Sequence, residues 1–88
     1  MSYYVYMLLT KRSGRFFSYV GYTNNLDKRI KLHNESKGAK FTKGSKWKVI
    51  FKKKFISKVK ALKYEYFFKK NKKLRLIYKN KAIQTQCI

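Results

Sequence analysis

Two short apolar runs near the start of the chain predict a pair of strands. Residues 3–9 and 16–22 are rich in Tyr, Phe, Val and Leu, the residue types that favour strands. The turn signal between them is the polar segment 11–15, which contains a Ser-Gly pair. The two runs therefore predict an antiparallel hairpin.

The register of this hairpin decides whether two tyrosines can act together. Side chains alternate between the faces of a strand, so Tyr6 and Tyr19 share a face only in an odd register. One such register has Lys11 opposite Gly14 and places Tyr6 directly across from Tyr19. A shift of one residue would place the two hydroxyls on opposite faces, and the pattern alone does not decide the register.

A helix is predicted directly after the second strand. Asn24 is a good N-cap, and Asp27 falls in the first turn, where negative charge is favoured. At about 100° per residue, a buried stripe has the spacing i, i+3, i+4 and i+7. Its members here are Leu26, Arg29, Ile30 and His33.

Two positions of this stripe are polar, which leaves two interpretations open. In one, Arg29 and His33 lie at the rim of the stripe, with the arginine stem reaching to solvent and the histidine bonded to a carbonyl. In the other, both side chains face the tyrosines of the hairpin and form a site with them.

A loop and a third strand follow. Residues 36–45 form a polar loop with two glycines and three lysines, which either contacts phosphate or is a solvated connection. Apolar residues alternate with others over residues 47–52, which predicts a third strand. Its apolar face would carry Trp47, Val49 and Phe51.

Two helices complete the predicted fold. Ser57 caps a helix from Lys58 to about Lys70, and a shorter helix runs over residues 72–81. One side of the shorter helix carries Leu74, Ile77 and Tyr78. The predicted fold class is α+β, with a small three-stranded antiparallel sheet flanked by helices in the order ββαβαα. We expect one domain over residues 1–80 and a C-terminal tail over residues 81–88.

The charge of the chain indicates a polyanionic partner. The 88 residues suffice for one small domain, and 24 basic residues against 3 acidic ones give a formal charge of +21. Such a charge predicts salt-sensitive binding to nucleic acid. Lysines outnumber arginines 20 to 4, a bias typical of an A+T-rich genome, so part of the charge reflects base composition.

Cysteine usage and hydropathy indicate an intracellular protein. The single cysteine, Cys87, has no partner for an internal disulfide, which fits a reducing compartment. The chain has no signal-peptide pattern and no run of 18 apolar residues. We expect a cytoplasmic protein, associated with the nucleoid if it is prokaryotic. Membrane-surface binding is disfavoured because no predicted helix carries lysine on one face only.

One carboxylate is a candidate metal ligand. Glu65 has apolar neighbours one turn away, whereas Asp27 is explained by its place in a first turn and Glu35 by a helix end. Glu65 either pairs with Lys69 at i, i+4, for a few tenths of a kcal/mol, or ligates a cation. A single carboxylate argues against a two-metal nuclease site, which needs several bridging acids.

Several segments, in order, resemble the GIY-YIG nuclease domain over residues 3 to about 80. Tyr4-Val5-Tyr6 resembles the GIY element, and Tyr19-Val20-Gly21 resembles the YIG element. Residues 22–30 are similar to the family's helix entry with its arginine. His33-Asn34 and residues 37–42 resemble the small standalone, single-domain branch.

The resemblance implies a DNA endonuclease with a one-metal mechanism. It implies one divalent cation, Mg²⁺ or Mn²⁺, on Glu65, and an attacking water deprotonated or oriented by Tyr19 or Tyr6. Arg29 would neutralise charge on the scissile phosphate, with His33 hydrogen-bonded nearby. A tyrosine with a pKa of about 10 is a poor base unless cationic neighbours and a metal depress that pKa, and a chain of this charge provides such neighbours.

The chain also departs from the family pattern. Tyr4 replaces the first glycine of GIY, and Tyr22 stands where some relatives have lysine. The late asparagine of the family is either Asn80 or Asn71, of which Asn80 is preferred. Nucleic-acid contacts are expected from Arg29, Lys37, Lys40, Lys43, Lys46 and Lys69.

Two classes of function remain open at this stage. The first is an endonuclease acting on single-stranded, branched, duplex or damaged DNA in repair or recombination, with a partner protein supplying specificity. The second is a non-catalytic module that binds DNA or RNA on the same scaffold. Cleavage of labelled DNA with and without Mg²⁺ or Mn²⁺ separates them.

Overall fold

The protein folds as a three-stranded antiparallel sheet with helices on both faces. A computed structural model describes residues 1–85, and Cys87 lies outside the described residues. The elements are β1 (Tyr3–Arg12), β2 (Arg15–Thr23), α1 (Leu26–Asn34), a 3-10 turn (Lys40–Thr42), β3 (Lys48–Phe55), α2 (Lys58–Lys70) and α3 (Lys72–Gln84). The strand order is β2-β1-β3, so the α+β class and the order ββαβαα are confirmed.

The register of the hairpin differs from the one given as an example. Ser13 and Gly14 both have positive φ, at 50° and 78°, as in a two-residue type I′ turn. Such a turn pairs Arg12 with Arg15 and therefore places Tyr6 opposite Gly21 and not opposite Tyr19. The register is odd, so Tyr6 and Tyr19 share a face, but they meet on the diagonal.

Alternation along β1 builds one core cluster on each face of the sheet. On one face, Val5 and Met7 pack with Ala61 and Phe68 of α2, and α3 adds Leu74 and Tyr78. On the opposite face, Tyr6 and Leu8 pack with Trp47, Tyr19 and the α1 residues Leu26 and Ile30. Helix α1 and the candidate site are thus on the face opposite α2 and α3.

A bulge in the β1–β3 pairing corrects the predicted face of the third strand. Met7 pairs with Phe51 and Leu8 with Val49, so the ladder shifts by one residue at Ile50. Val49 therefore packs with Trp47 on the α1 face, whereas Phe51 packs with Met7 on the α2 face. The expectation that Trp47, Val49 and Phe51 share a face is wrong, because an inserted residue reverses the alternation.

The helix ends are largely as predicted, with three corrections. Asn25, and not Asn24, caps α1, because its side chain accepts the Lys28 N–H. Ser57 caps α2 as expected. Helix α3 continues past residue 81 to Gln84, and Ala82 in this added turn is buried. Ile77, predicted on the same side of the helix as Leu74 and Tyr78, is exposed. In the part of the chain that the structure describes, no helix is long and apolar enough to cross a bilayer.

Candidate active site

Side chains from β1, β2 and α1 converge around the Tyr6 hydroxyl. The Tyr6 oxygen lies 2.7 Å from His33 Nε2 in a buried hydrogen bond. The ring centroid of Tyr19 is 6.5 Å from that of Tyr6 and 5.1 Å from that of His33. His33 is therefore buried beside the tyrosines, as the second interpretation of the α1 stripe expects, and its role in a site stays a prediction.

Two glycines make room for this pair. A Cβ on Gly21 would overlap the hydroxyl and ring of Tyr6, and a Cβ on Gly38 would overlap the imidazole of His33. Because Tyr6 lies across from Gly21 in the observed register, its ring extends over β2. Gly21 is thus required by close approach, which explains the glycine of the Tyr19-Val20-Gly21 segment.

The hydrogen-bond network assigns the tautomer of His33. The Thr42 hydroxyl donates its one proton to the Ala39 carbonyl at 2.8 Å, so it must accept from His33 Nδ1 at 2.9 Å. In the neutral imidazole Nε2 is then unprotonated and accepts from the Tyr6 hydroxyl. Burial, with the Arg29 charge as a second cause, lowers the pKa of His33 below its ordinary value, which favours this neutral form at pH 7.

The acidity of Tyr6 corrects one expectation from the sequence. Burial raises the pKa of Tyr6 to about 12, and hydrogen bonding from Arg29, together with its charge, lowers that pKa by less. Tyr6 is fully buried, with 0 % of its surface exposed, so desolvation of the phenolate outweighs the attraction of the cation. In the protein by itself Tyr6 is therefore a weaker acid than free tyrosine, whereas cationic neighbours were expected to depress its pKa.

Arg29 lies beside both tyrosine hydroxyls. Hydrogen bonding to the Tyr6 hydroxyl is the main cause that raises the pKa of the Arg29 guanidinium, and the Tyr19 hydroxyl adds to it. Within residues 1–85, the buried side-chain nitrogens without a hydrogen-bond partner are Arg29 Nε and Arg75 Nε. A buried donor without a partner is costly, so an anion bound at Arg29 would relieve that cost.

Glu65, the predicted metal ligand, lies on α2 and is paired with lysine. Its side chain is 19 % exposed, and Lys69 Nζ lies 3.3 Å from Glu65 Oε2, so the expected i, i+4 pair is present. The Glu65 charge nevertheless adds to the raised pKa of Tyr6, which brings the carboxylate within electrostatic reach of that hydroxyl. The ion pair with Lys69 is thus the contact that the structure shows for Glu65, and its place in the site stays a prediction.

The carboxylate composition of the site fits one cation held by one protein ligand. No group of three or more His, Cys, Asp or Glu residues that could hold a metal occurs within residues 1–85. Mg²⁺ commonly keeps several waters and binds through one or two carboxylates plus substrate phosphate. A half-buried Glu65 would fit a Mg²⁺ site of this kind, with one carboxylate, waters and substrate phosphate as ligands.

The remaining predicted residues lie outside the cluster. Asn80 is exposed on α3, and Asn71 caps α3 by accepting the Leu74 N–H. The predicted nucleic-acid-binding lysines are all exposed, and Lys46 also donates to the Asn34 carbonyl. Their positions are Lys37, Lys40, Lys43, Lys46 and Lys69. The roles of all these residues stay predictions.

Sequence reasoning missed the loop residues that hold His33. Thr42 is fully buried and Gly38 lies against the imidazole, yet neither was a candidate site residue. The segment from residue 37 to 42 carried part of the family resemblance, but no spacing rule links a threonine to a histidine nine positions earlier. Their contact depends on how the loop folds back over α1.

Comparison with known proteins identifies the family of the chain. The GIY-YIG catalytic domain model matches residues 2–79, so the chain belongs to the GIY-YIG family, as the resemblance implied. This family assignment indicates a nuclease acting on nucleic acid.

Particular relatives share most of the chain. A UPF0213 protein of Oceanobacillus iheyensis is 42% identical over 79 residues, covering 85% of this chain and 88% of the relative. One of Clostridium perfringens is 45% identical over 78 residues, covering 84% and 81%. The solution NMR structure of a UPF0213 protein from Bacillus halodurans is 38% identical and covers 88% of this chain and 83% of its own, with a TM-score of 0.47.

Proposed function

We propose that the protein is a metal-dependent endonuclease that hydrolyses phosphodiester bonds in DNA. The observation that carries this proposal is the buried Nε of Arg29, which lacks a partner beside the hydroxyls of Tyr6 and Tyr19. A guanidinium nitrogen of this kind is suited to a phosphate oxygen. The family assignment supports the same chemistry.

The two tyrosines have different roles in this proposal. Tyr19 is half-buried, whereas Tyr6 has no exposed surface. Tyr19 therefore orients the attacking water, which must reach its hydroxyl from solvent. Tyr6, with a pKa raised to about 12, stays protonated and positions Arg29 against the scissile phosphate.

His33 and Arg29 support the developing charge. His33 accepts the Tyr6 proton in a hydrogen bond, which leaves the Tyr6 oxygen lone pairs free for the guanidinium. Arg29 neutralises negative charge that builds on the phosphate oxygens, a type of stabilisation that often accounts for the largest part of the rate enhancement.

Glu65 would hold the divalent cation, Mg²⁺ or Mn²⁺. Such an ion supplies positive charge to the phosphate and to the leaving oxygen. The ion would share the carboxylate with Lys69, whose Nζ lies 3.3 Å from Oε2. The exposed Lys69 side chain would contact the DNA backbone beside it.

Substrate choice is proposed from the small size and positive charge of the chain. A single domain with a formal charge of +21 favours recognition of DNA backbone and shape over base sequence. We expect single-stranded, branched or damaged DNA as substrate inside the cell, in repair or recombination, with a partner protein adding specificity. Asn80, which is exposed on α3, is proposed as the family asparagine, although it lies one residue past the matched range 2–79.

The test compares the wild type with Glu65→Gln on labelled single-stranded, duplex and branched DNA, with and without Mg²⁺ or Mn²⁺. Glu65→Gln should lose metal-dependent cleavage while DNA binding stays equal or tightens, since a negative charge near the phosphate is removed. Glu35→Gln removes the same charge at the exposed end of α1 and is the matched control. Binding without cleavage by the wild type in either metal would instead identify a non-catalytic nucleic-acid-binding module.

A further inference from the structure

The loop next to the candidate site presents an exposed aromatic ring. Phe41 keeps 48 % of its surface exposed, although Thr42 beside it is fully buried. Its ring is stacked with that of Tyr19, at a centroid distance of 6.4 Å and an interplanar angle of 20°. An exposed phenylalanine is common on protein surfaces, but this one extends the surface of a candidate catalytic tyrosine.

Arg12 fixes the position of this ring. The Arg12 guanidinium lies 5.4 Å from the Phe41 centroid and also lies over the rings of Phe17 and Trp47. It donates to the Phe41 carbonyl at 2.8 Å and to the Lys43 carbonyl at 3.3 Å, and it contacts the Ser45 hydroxyl. The backbone around Phe41 is therefore bonded to β1, so a ligand that stacks on the ring need not order the loop first.

We infer that Phe41 is a stacking platform for an unpaired nucleobase next to the phosphodiester at Arg29 and Tyr19. The inference rests on the proposed nuclease function and names its substrate class, single-stranded DNA or the unpaired part of branched DNA. A base inside a duplex has no free face to offer, whereas a single-stranded base does. Lys40 and Lys43, which are exposed and flank Phe41 in the sequence, would contact the neighbouring phosphates.

The alternative to a stacking platform is that Phe41 only covers the apolar surfaces of Tyr19 and Trp47. Both rings lie near it, at centroid distances of 6.4 and 6.0 Å. Leucine would cover them almost as well but has no aromatic face. Phe41→Leu therefore separates the two roles, and Phe41→Tyr, which keeps the face, should behave as the wild type.

The experiment measures DNA affinity by fluorescence anisotropy in EDTA, so that no cleavage is needed. Phe41→Leu should weaken binding of a labelled single strand about tenfold, within the range for loss of one stacked base. Its affinity for a duplex of the same sequence should change less than about twofold. The matched control is Phe67→Leu, which removes a ring that is 49 % exposed on α2 and should alter neither affinity.

A second probe does not depend on the folding of any variant. A strand of abasic deoxyribose phosphates has the same charge without bases, and the wild type should bind it about tenfold more weakly than the base-bearing strand. Equal affinity for these two strands, or equal loss of single-strand and duplex affinity in Phe41→Leu, would overturn the inference. If the platform behaves as expected but the wild type cleaves no DNA in Mg²⁺ or Mn²⁺, the nuclease proposal fails and the binding site stands.

Discussion

His33 connects a buried tyrosine to a loop through hydrogen bonds whose direction is set by Thr42. Because the Thr42 hydroxyl donates to the Ala39 carbonyl, neutral His33 must donate from Nδ1 and accept at Nε2. Protonation of Nε2 would place a donor against the Tyr6 hydroxyl and a charge near Arg29. The neutral imidazole is therefore part of the folded structure.

Stability should fall in mildly acidic solution for this reason. The pKa of His33 is lowered in the folded protein by burial, so below about pH 6.5 the unfolded chain binds more protons than the folded one. The contribution of His33 is complete above about pH 6.5 and is lost as pH falls through the folded-state pKa. Urea unfolding at several pH values should show this loss in the wild type.

His33→Gln is the control, because His33 is the single histidine and glutamine does not titrate. The variant should be less stable than the wild type at pH 7, but its stability should change little between pH 7 and pH 5. The same pH dependence in both proteins would contradict the assignment of a neutral, buried His33.

Arg29→Lys tests whether the planar guanidinium matters beyond its charge. Lysine keeps the charge but cannot offer Nε and a terminal nitrogen together to phosphate. We expect cleavage to fall about a hundredfold, with DNA affinity and folding nearly unchanged. Arg75→Lys is the matched control, because Arg75 has the other buried Nε without a partner in residues 1–85 and lies on α3. A variant that keeps most of its activity would show that charge alone suffices at Arg29.

At the scale of elements, the existence of each helix and strand could be predicted but the register could not. The apolar runs, Ser57 and the 3.6-residue spacing were sufficient for β1, β2 and α2. The register depends on a positive φ at Ser13, which serine adopts rarely. The bulge at Ile50 depends on packing against both faces of the sheet, which the simple alternation of residues 47–52 does not contain.

Gly21→Ala tests the close approach of β2 to Tyr6. A Cβ there would overlap the Tyr6 hydroxyl, and Tyr6 cannot move away because it is buried and bonded to His33. We expect a loss of about 1–3 kcal/mol in the free energy of unfolding, the usual cost of overpacking. Chemical denaturation measures it, with Ser18→Ala, a small change on the other face of β2, as the control.

Gly21→Ala in a Tyr6→Phe background provides the counter-test. Removing the hydroxyl removes one of the overlapping atoms, so Gly21→Ala should cost less in that background. An equal cost in both backgrounds would mean that the overlap with Tyr6 is not what excludes a side chain at residue 21.

At the scale of the whole molecule, the positive charge should determine how DNA affinity depends on salt. With a formal charge of +21, log K for single-stranded DNA should fall linearly with log of the salt concentration, by about 0.7 per phosphate contact. Replacing Lys40 and Lys43 with glutamine should make that slope shallower by about 1.4. Lys58 and Lys60, exposed at the start of α2, are the control pair, and an identical change for both pairs would indicate diffuse attraction without a preferred face.

For the candidate site, the proximity of Tyr6, Tyr19 and His33 was predictable from the sequence, but the burial of the site and the loop residues that hold it were not. Tyr6, Tyr19, Arg29, His33 and Glu65 were candidates because their order resembles a family. The raised pKa of Tyr6 was not foreseen, because it results from burial under side chains far away in the sequence. Residues 38–42 come over His33 only when the loop, Arg12 and Trp47 pack together.

The fluorescence of Trp47 can report on this packing. It is the single tryptophan of the chain, it is buried, and its indole N–H donates to the Thr42 carbonyl at 2.9 Å. Excited at a wavelength that tyrosine barely absorbs, its fluorescence comes from one point, directly beneath the loop that holds His33. The wavelength of its emission maximum therefore reports, without an added dye, whether the indole is still covered by that loop or is exposed to water.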